Sequence, residues 1–333
     1  MNEPPPLLLH GGPGPEGPAR FDFSTNAHAA GPCPAAWAAV QAADATRYPD
    51  ASHHALREAL AAWHGVQPAR VLLAASGSEF IQRLTAVSAR LAPGPVAVPV
   101  HAYGDYALAA RACGRPLLAS DLLASGDARA TLCWVADPGS PFGRDQPPDA
   151  ALGDVATVLD AVYAPLRLSG TSAWDGAAQG HVFVLHSPNK SLGLCGVRGA
   201  YAIAPAALRW QPWVQALQAA APSWPLGAQG VALLQAWCSA EARAWLQASL
   251  PKLRLWKAAQ VAALQALCCE VATSHTPFFC LRPPSAWNMQ ALWRHGVQLR
   301  DATSFGLPGW WRVNTLAPEA QAALLQAITE EHA

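Results

Sequence analysis

The sequence predicts an α/β fold, with a mainly parallel seven-stranded sheet in a large domain and a small α/β domain at the C-terminal end. Three observations carry this reading. From Val71 onward, short apolar runs alternate with longer segments of helical spacing. The runs are continuously hydrophobic rather than alternating, as strands covered on both faces require. After about residue 205 this rhythm gives way to long Ala-, Leu- and Trp-rich segments with helical spacing.

Taken in chain order, the first 20 residues are rich in Pro and Gly (Pro4, Pro5, Pro6, Gly11, Gly12, Pro13, Gly14, Pro15) and read as an arm without regular structure. Seven strands are expected at Val71 to Ala75, Val96 to Val100, Pro116 to Ala119, Thr131 to Ala136, Val155 to Asp160, His181 to His186 and Gly199 to Ile203. Helices such as Glu79 to Leu91 and Tyr103 to Cys113 connect them. Leu208 to Ala221, Gly227 to Leu250 and Pro251 to Cys269 follow as helical segments, and a short αβ region runs from Val271 to Ala333. The expected domains are an arm over 1–45, a large domain over 46–230, and a bridging helix with a small C-terminal domain over 231–333.

Composition narrows the function classes. The 333 residues carry 22 basic and 22 acidic side chains, a net charge of zero, which argues against a polyanion or nucleic-acid binder. Hydrophobic residues make up 52% of the chain, enough for a large core and too many for a disordered one. Apolar runs are broken by Pro and Gly well short of the roughly 20 residues of a membrane span. The eight cysteines show no CxxC spacing and no secretory leader opens the chain, so a soluble, reduced, cytoplasmic setting without a metal site is expected. The basic residues divide into three lysines and nineteen arginines, so chemistry that needs an amine has few candidates.

One of those lysines lies in the most informative segment, His186-Ser187-Pro188-Asn189-Lys190-Ser191-Leu192-Gly193-Leu194-Cys195-Gly196-Val197-Arg198. Lys190 follows an apolar strand within a small-residue loop, and Arg198 stands eight positions on. This arrangement suits an amine that condenses with a carbonyl beside a bound anion, against the plainer alternative of a solvated lysine. Asp160 closes another strand, where a carboxylate points into the crevice in which open α/β sheets bind ligands. It can keep a ring nitrogen protonated with Tyr163 nearby, or equally cap the next turn. Ser76-Gly77-Ser78-Glu79 lies between a strand and a helix, a natural phosphate cradle or a simple Ser N-cap. Tyr103, after the second strand, can stack on a planar ligand or pack in the core.

Together these motifs, in this order on successive strand ends, resemble the fold-type I pyridoxal-phosphate enzymes of the aspartate aminotransferase superfamily. The resemblance covers nearly the whole chain and is closest to the branch of histidinol-phosphate aminotransferases and threonine-phosphate decarboxylases. It implies pyridoxal 5′-phosphate as cofactor, with Lys190, Asp160 and Tyr163 as catalytic residues. Gly77, Ser78, Glu79, Tyr103, Ser187 and Arg198 are implied as further cofactor contacts. Tyr48, in Arg47-Tyr48-Pro49-Asp50, resembles the tyrosine that reaches the neighbouring subunit's cofactor, implying a homodimer with shared sites. Arg312, at the end of Leu299 to Val313, matches the arginine that holds a substrate carboxylate, for which two parallel hydrogen bonds fix orientation. Two positions depart from the family pattern: Ser140 stands where an asparagine usually meets the cofactor, and Asn189 precedes the lysine.

The choice of reaction rests on the arm. His10-Gly11-Gly12 followed by Phe21-Asp22-Phe23-Ser24-Thr25-Asn26 resembles the opening of the threonine-phosphate decarboxylases, a short motif that also occurs by chance. It implies His10 and Arg300 as ligands of a substrate phosphate and Asn26 near the substrate. The expected activity is decarboxylation of L-threonine O-3-phosphate to (R)-1-amino-2-propanol O-2-phosphate for cobalamin synthesis. The alternatives are an aminotransferase acting on histidinol phosphate or a related amino acid, and a non-catalytic cofactor-binding module, which the presence of both Lys190 and Asp160 disfavours.

Overall fold

The computed structural model describes residues 10–14, 17–124, 129–149 and 155–332. The arm's Pro4, Pro5, Pro6 and Pro15 fall outside them. In chain order the strands are β1 Phe21–Asp22, β2 Val71–Ala74, β3 Val96–Val98, β4 Leu117–Ala119, β5 Leu132–Ala136, β6 Ala156–Asp160, β7 Phe183–His186, β8 Ala200–Ile203, β9 Glu270–Val271, β10 Phe279–Arg282, β11 Val297–Gln298, β12 Arg300–Asp301 and β13 Trp311–Val313. The helices are α1 Pro34–Ala42, α2 His54–His64, α3 Gly77–Leu91, α4 Gly104–Ala112, α5 Asp121–Ala124, α6 Gly176–Gln179, α7 Gln211–Ala219, α8 Ala228–Trp237, α9 Ala240–Ala266, α10 Met289–Arg294 and α11 Pro318–His332.

β2 to β8 correspond to the seven apolar runs and form one sheet in the order β2-β8-β7-β6-β5-β3-β4. Only β8 runs against its neighbours; the rest are parallel. Central strands are buried along nearly their whole length, which is why they read as unbroken apolar runs. One consequence places the chemistry. The carboxyl ends of β2, β3, β5, β6 and β7 all lie along one edge, and the antiparallel β8 begins there, so Arg198 arrives at the same edge from the opposite direction.

A second sheet, β12-β13-β10-β9, carries Arg300 and Arg312. The arm joins this part of the chain: β1 pairs in parallel with β11, and the Phe23 carbonyl accepts the Asn314 amide at 2.9 Å. Asp22 fixes the turn that follows, accepting the Ser24 hydroxyl at 2.5 Å and the Thr25 hydroxyl at 2.6 Å. The arm is thus structured from its Phe-Asp-Phe-Ser segment onward.

One expected boundary moves. Two helical segments meeting at Pro251 are expected, but the break falls twelve residues earlier. Ser239 caps α9 by accepting the Ala242 amide at 3.1 Å, and the helix then runs 27 residues straight through Pro251. A proline inside a helix removes one i to i−4 bond, and here neighbours on both sides hold the helix across the gap. Ser249 accepts a hydrogen bond from His28 at 2.7 Å, and Arg254 donates to the Leu168 carbonyl at 2.6 Å. Among the described residues, no helix is long and apolar enough to cross a membrane.

Three histidines are kept neutral by this packing. Burial lowers His28 to about 4, His64 to about 4 and His186 to about 3. At His28 the geometry shows why: Nδ1 accepts the Ala30 amide, so a second proton has nowhere to go. His64 meets the Tyr201 hydroxyl at 2.9 Å, and that hydroxyl also accepts from Trp237 Nε1 at 3.0 Å. Because the folded values lie below the unfolded value near 6.5, the unfolded chain binds more protons at mildly acidic pH. Stability is therefore full above about pH 6.5 and declines as the pH falls toward 4. Urea unfolding across this range should show a falling midpoint, and His28→Gln, which keeps a donor toward Ser249 but cannot titrate, should flatten the slope.

Candidate active site

The site is assembled at the sheet edge where the parallel strands end. Asp160, the last residue of β6, is partly buried. Its Oδ1 accepts the Val162 amide at 3.0 Å and its Oδ2 accepts the Tyr106 hydroxyl at 2.6 Å. Burial pushes the carboxyl up from its ordinary range, while these two bonds and the Lys190 ammonium pull it back. Lys190 follows β7 and holds its Nζ 5.6 Å from the centroid of the Tyr163 ring. Tyr163 in turn accepts a hydrogen bond from Asn26 Nδ2 at 3.1 Å, tying the arm to the lysine's neighbour.

The loop that carries Lys190 is closely constrained. Asn189 accepts the Ser187 hydroxyl at 3.0 Å and donates to the Cys195 carbonyl at 3.3 Å, stapling both ends of the turn. The Lys190 carbonyl accepts the His28 amide at 3.0 Å. Gly193 sits at φ +68°, and a Cβ there would come within 2.5 Å of the Gly31 carbonyl oxygen. Only glycine allows the arm to approach the lysine loop this closely.

The α3 N-terminus supplies a second element. The Ser76 hydroxyl accepts the Glu79 amide at 3.0 Å, the N-cap reading of these residues, while Glu79 turns its carboxylate back to the Ala75 amide and the Arg83 guanidinium. The first-turn amides of Gly77 and Ser78 remain as donors aligned with the helix dipole. Ser78 Oγ lies 3.1 Å from the Tyr103 hydroxyl, so the expected phosphate cradle and the expected stacking ring are in contact.

The two arginines expected to bind substrate anions are placed differently from one another. Arg312, fully enclosed, donates from Nη2 to the Ser24 carbonyl at 2.8 Å and from Nη1 to Ser140 Oγ at 3.2 Å. The Ser140 hydroxyl therefore accepts from the arginine, a role its shorter reach permits. Arg300 faces Arg312 across the β12–β13 register and donates to Ser304 Oγ at 2.7 Å. Burial and the Arg312 charge lower Arg300 to about 10, and among the described residues neither guanidinium pairs with a carboxylate.

The remaining expected residues have neighbours of their own. His10 lies 3.9 Å from Asp105 and has its ring 5.9 Å from that of Tyr103, so its neighbours are a carboxylate and an aromatic ring. Tyr48 is 78% exposed and stacks on Trp224 at 4.5 Å. Arg198 is exposed, at the sheet edge, and Ser187 is buried. Sequence reasoning missed Tyr106, although it stands only three residues after Tyr103, the N-cap of α4. It also missed Phe278, whose ring meets Tyr163 at 4.6 Å and has the Arg312 guanidinium 6.0 Å from its centroid.

Residues 20–328 match the family model described as aminotransferase class I and II. The chain belongs to that family. This aminotransferase-family chain is 31% identical over 309 residues to histidinol-phosphate aminotransferase 2 of Ralstonia nicotianae, covering 85% of this chain and 80% of that one. Its fold is similar to that of histidinol-phosphate aminotransferase from Sinorhizobium meliloti, solved with pyridoxal-5′-phosphate, with a TM-score of 0.76, 20% identity and coverage of 92% and 89%. It is also similar to L-threonine-O-3-phosphate decarboxylase from Porphyromonas gingivalis, with a TM-score of 0.73, 19% identity and coverage of 93% and 98%. The fold is the fold-type I pyridoxal-phosphate fold, and pyridoxal phosphate is the cofactor of this aminotransferase family. The donor set of the chain fits that group: an amine, a carboxylate with acceptor capacity, the first-turn amides of α3, and the Asn26 Oδ1 and Ser191 Oγ atoms, buried without partners among the described residues.

Gly193→Ala should displace the arm from the lysine loop and cost about 1–3 kcal/mol, the usual range for a residue forced into a disallowed backbone region. Thermal unfolding gives the stability loss, and limited proteolysis near residue 31 should become faster.

Proposed function

We propose that the chain is a pyridoxal-phosphate enzyme acting on the amino group of a small phosphorylated substrate, as an aminotransferase of the histidinol-phosphate type. The observation that carries the substrate class is the pair Arg300 and Arg312. Two buried guanidinium groups side by side repel one another and lose hydration, a cost that the nearby carboxylates of Asp301 and Asp22 offset only in part. A doubly charged oxyanion such as a phosphate monoester offsets both costs at once. The curated relatives support transamination better than the decarboxylation expected from the arm.

When bound, the cofactor withdraws electron density from the substrate carbon that bears the amino group. Lys190 is the amine that would hold it and, once free, the base able to take a proton from the substrate carbon that bears the amino group and return it elsewhere. Asp160 keeps a negative charge at the sheet edge for a protonated ring nitrogen. Tyr163, oriented by Asn26, offers a hydroxyl to the ring oxygen, and Tyr103 offers its ring face. Gly77, Ser78 and Ser187, with Arg198, would take the cofactor phosphate. Arg312 fixes the substrate anion, since its Nη atoms are held by Ser24 and Ser140 and its Nε is buried without a partner among the described residues. Tyr48, exposed beside Trp224, would reach the site of a second copy in a homodimer, in the cytoplasm.

One observation favours the second reading, decarboxylation of L-threonine O-3-phosphate. The His-Gly-Gly segment is built into the fold: the Gly12 amide donates to Ser24 Oγ at 2.8 Å, and a Cβ at Gly11 would come within 2.2 Å of the Ser24 carbonyl oxygen. Ser24 is the residue whose carbonyl holds Arg312, so the arm motif acts directly on the substrate arginine.

Assaying the purified enzyme with histidinol phosphate and 2-oxoglutarate, beside threonine phosphate with CO2 detection, separates the readings. Turnover is expected in the first assay; turnover in the second alone establishes the decarboxylase. Lys190→Ala should lose the yellow colour of the cofactor-loaded protein. Arg300→Met should raise KM for the phosphorylated substrate roughly 10- to 100-fold, the scale of one lost charge-assisted bond pair, and leave cofactor absorbance intact.

A further inference from the structure

Tyr106 is absent from every expected role, yet its hydroxyl makes the shortest contact to Asp160. Its ring is 1% exposed and lies on Trp134, with centroids 4.8 Å apart and planes 7° from parallel. Trp134 belongs to β5 and pairs in register with Val158 on β6, so the surface beneath Tyr106 is the sheet itself. Phenylalanine would fill that space as well; the hydroxyl is what a core role leaves unexplained. It donates to Asp160 Oδ2 at 2.6 Å, while Val162 occupies Oδ1. With a donor on each oxygen, the carboxylate plane cannot rotate.

We infer that Tyr106 is a positioning residue that holds Asp160 ionised and in a fixed plane for the ring nitrogen of the cofactor. This rests on the reading of Asp160 given above. The hydroxyl bond stabilises the anion, not the acid, because a protonated carboxyl at Oδ2 would meet a donor with a donor. Burial holds the phenol far above its ordinary value, so it stays a donor throughout the working range. The charged and titratable groups around the pair are Lys190, which favours the Asp160 anion, and the phenols of Tyr103 and Tyr163 near Tyr106. Tyr103, the N-cap of α4, meets Tyr106 edge-on at 5.9 Å. α4 therefore sets the stacking ring and the nitrogen's partner in register with one another.

The test compares wild type, Tyr106→Phe, Asp160→Asn and the double variant, each loaded with pyridoxal phosphate. The measurements are cofactor affinity by dialysis, the pH titration of the visible absorbance, and the pH profile of kcat/KM. Tyr106→Phe should move the acid limb of both pH curves upward by about one unit, the scale of a lost hydrogen bond to a charged group. It should also weaken cofactor binding about three- to tenfold, and the double variant should match Asp160→Asn. Should Tyr106→Phe titrate as wild type while Asp160→Asn is altered, Tyr106 only packs and the inference falls while the Asp160 reading stands. If Asp160→Asn itself binds and titrates as wild type, both fall. Should the phenylalanine variant not fold, 3-fluorotyrosine placed at 106 makes the same comparison with the opposite sign: a stronger donor must shift the acid limb downward, and an unshifted limb overturns the inference.

Discussion

A carboxylate at the end of a buried parallel strand is unfavourable as an anion unless the fold brings donors to it, and much of the site is organised around that demand at Asp160. The Val162 amide comes from the chain's own turn, as at many strand ends. The Tyr106 hydroxyl comes from a helix that must be placed by the sheet, through Trp134, to within 2.6 Å. Lys190 adds its charge from the adjacent β7 loop. None of these three would be in position without the strand order that sets β6 between β5 and β7.

The opposite demand arises on the smaller sheet. Arg300 and Arg312 are brought face to face by the β12–β13 register, and the fold gives them hydroxyls and a carbonyl in place of carboxylates. Their aromatic surroundings, Phe305 beside both and Phe278 beside Arg312, accept cationic planes without neutralising them. Asp160 brings negative charge to the edge of the large sheet, while Arg300 and Arg312 gather positive charge on the smaller one that Asp301 and Asp22 offset only in part. A neutral protein overall thus presents a strong local field.

Much of this was legible in the sequence for a physical reason. A strand covered on both faces has to be apolar throughout, so the seven runs from Val71 to Ile203 announced themselves and fixed the places of Asp160 and Lys190. Long-range partners leave no such trace. Nothing local in Ser140 tells of an arginine 172 residues away. Pro251 read as a helix start because proline suits first turns, but tertiary contacts on either side kept α9 continuous. Tyr106 carried a signal in its spacing from Tyr103, though an aromatic ring at that spacing is most often core.

α9 is a rod of about 40 Å at the usual rise per residue. Along it, Ser249 touches His28, whose amide holds the Lys190 carbonyl; Arg254 and Lys257 hold the Leu168 and Ser274 carbonyls; Gln260 donates to the Asn314 carbonyl. Asn314 directly follows the strand of Arg312. One stiff body is therefore pinned both to the backbone of Lys190 and to the strand that carries Arg312. With the roles proposed for Lys190 and Arg312, the two ends of a bound substrate are gauged against a single ruler, and a shift at one is transmitted to the other without passing through the ligand.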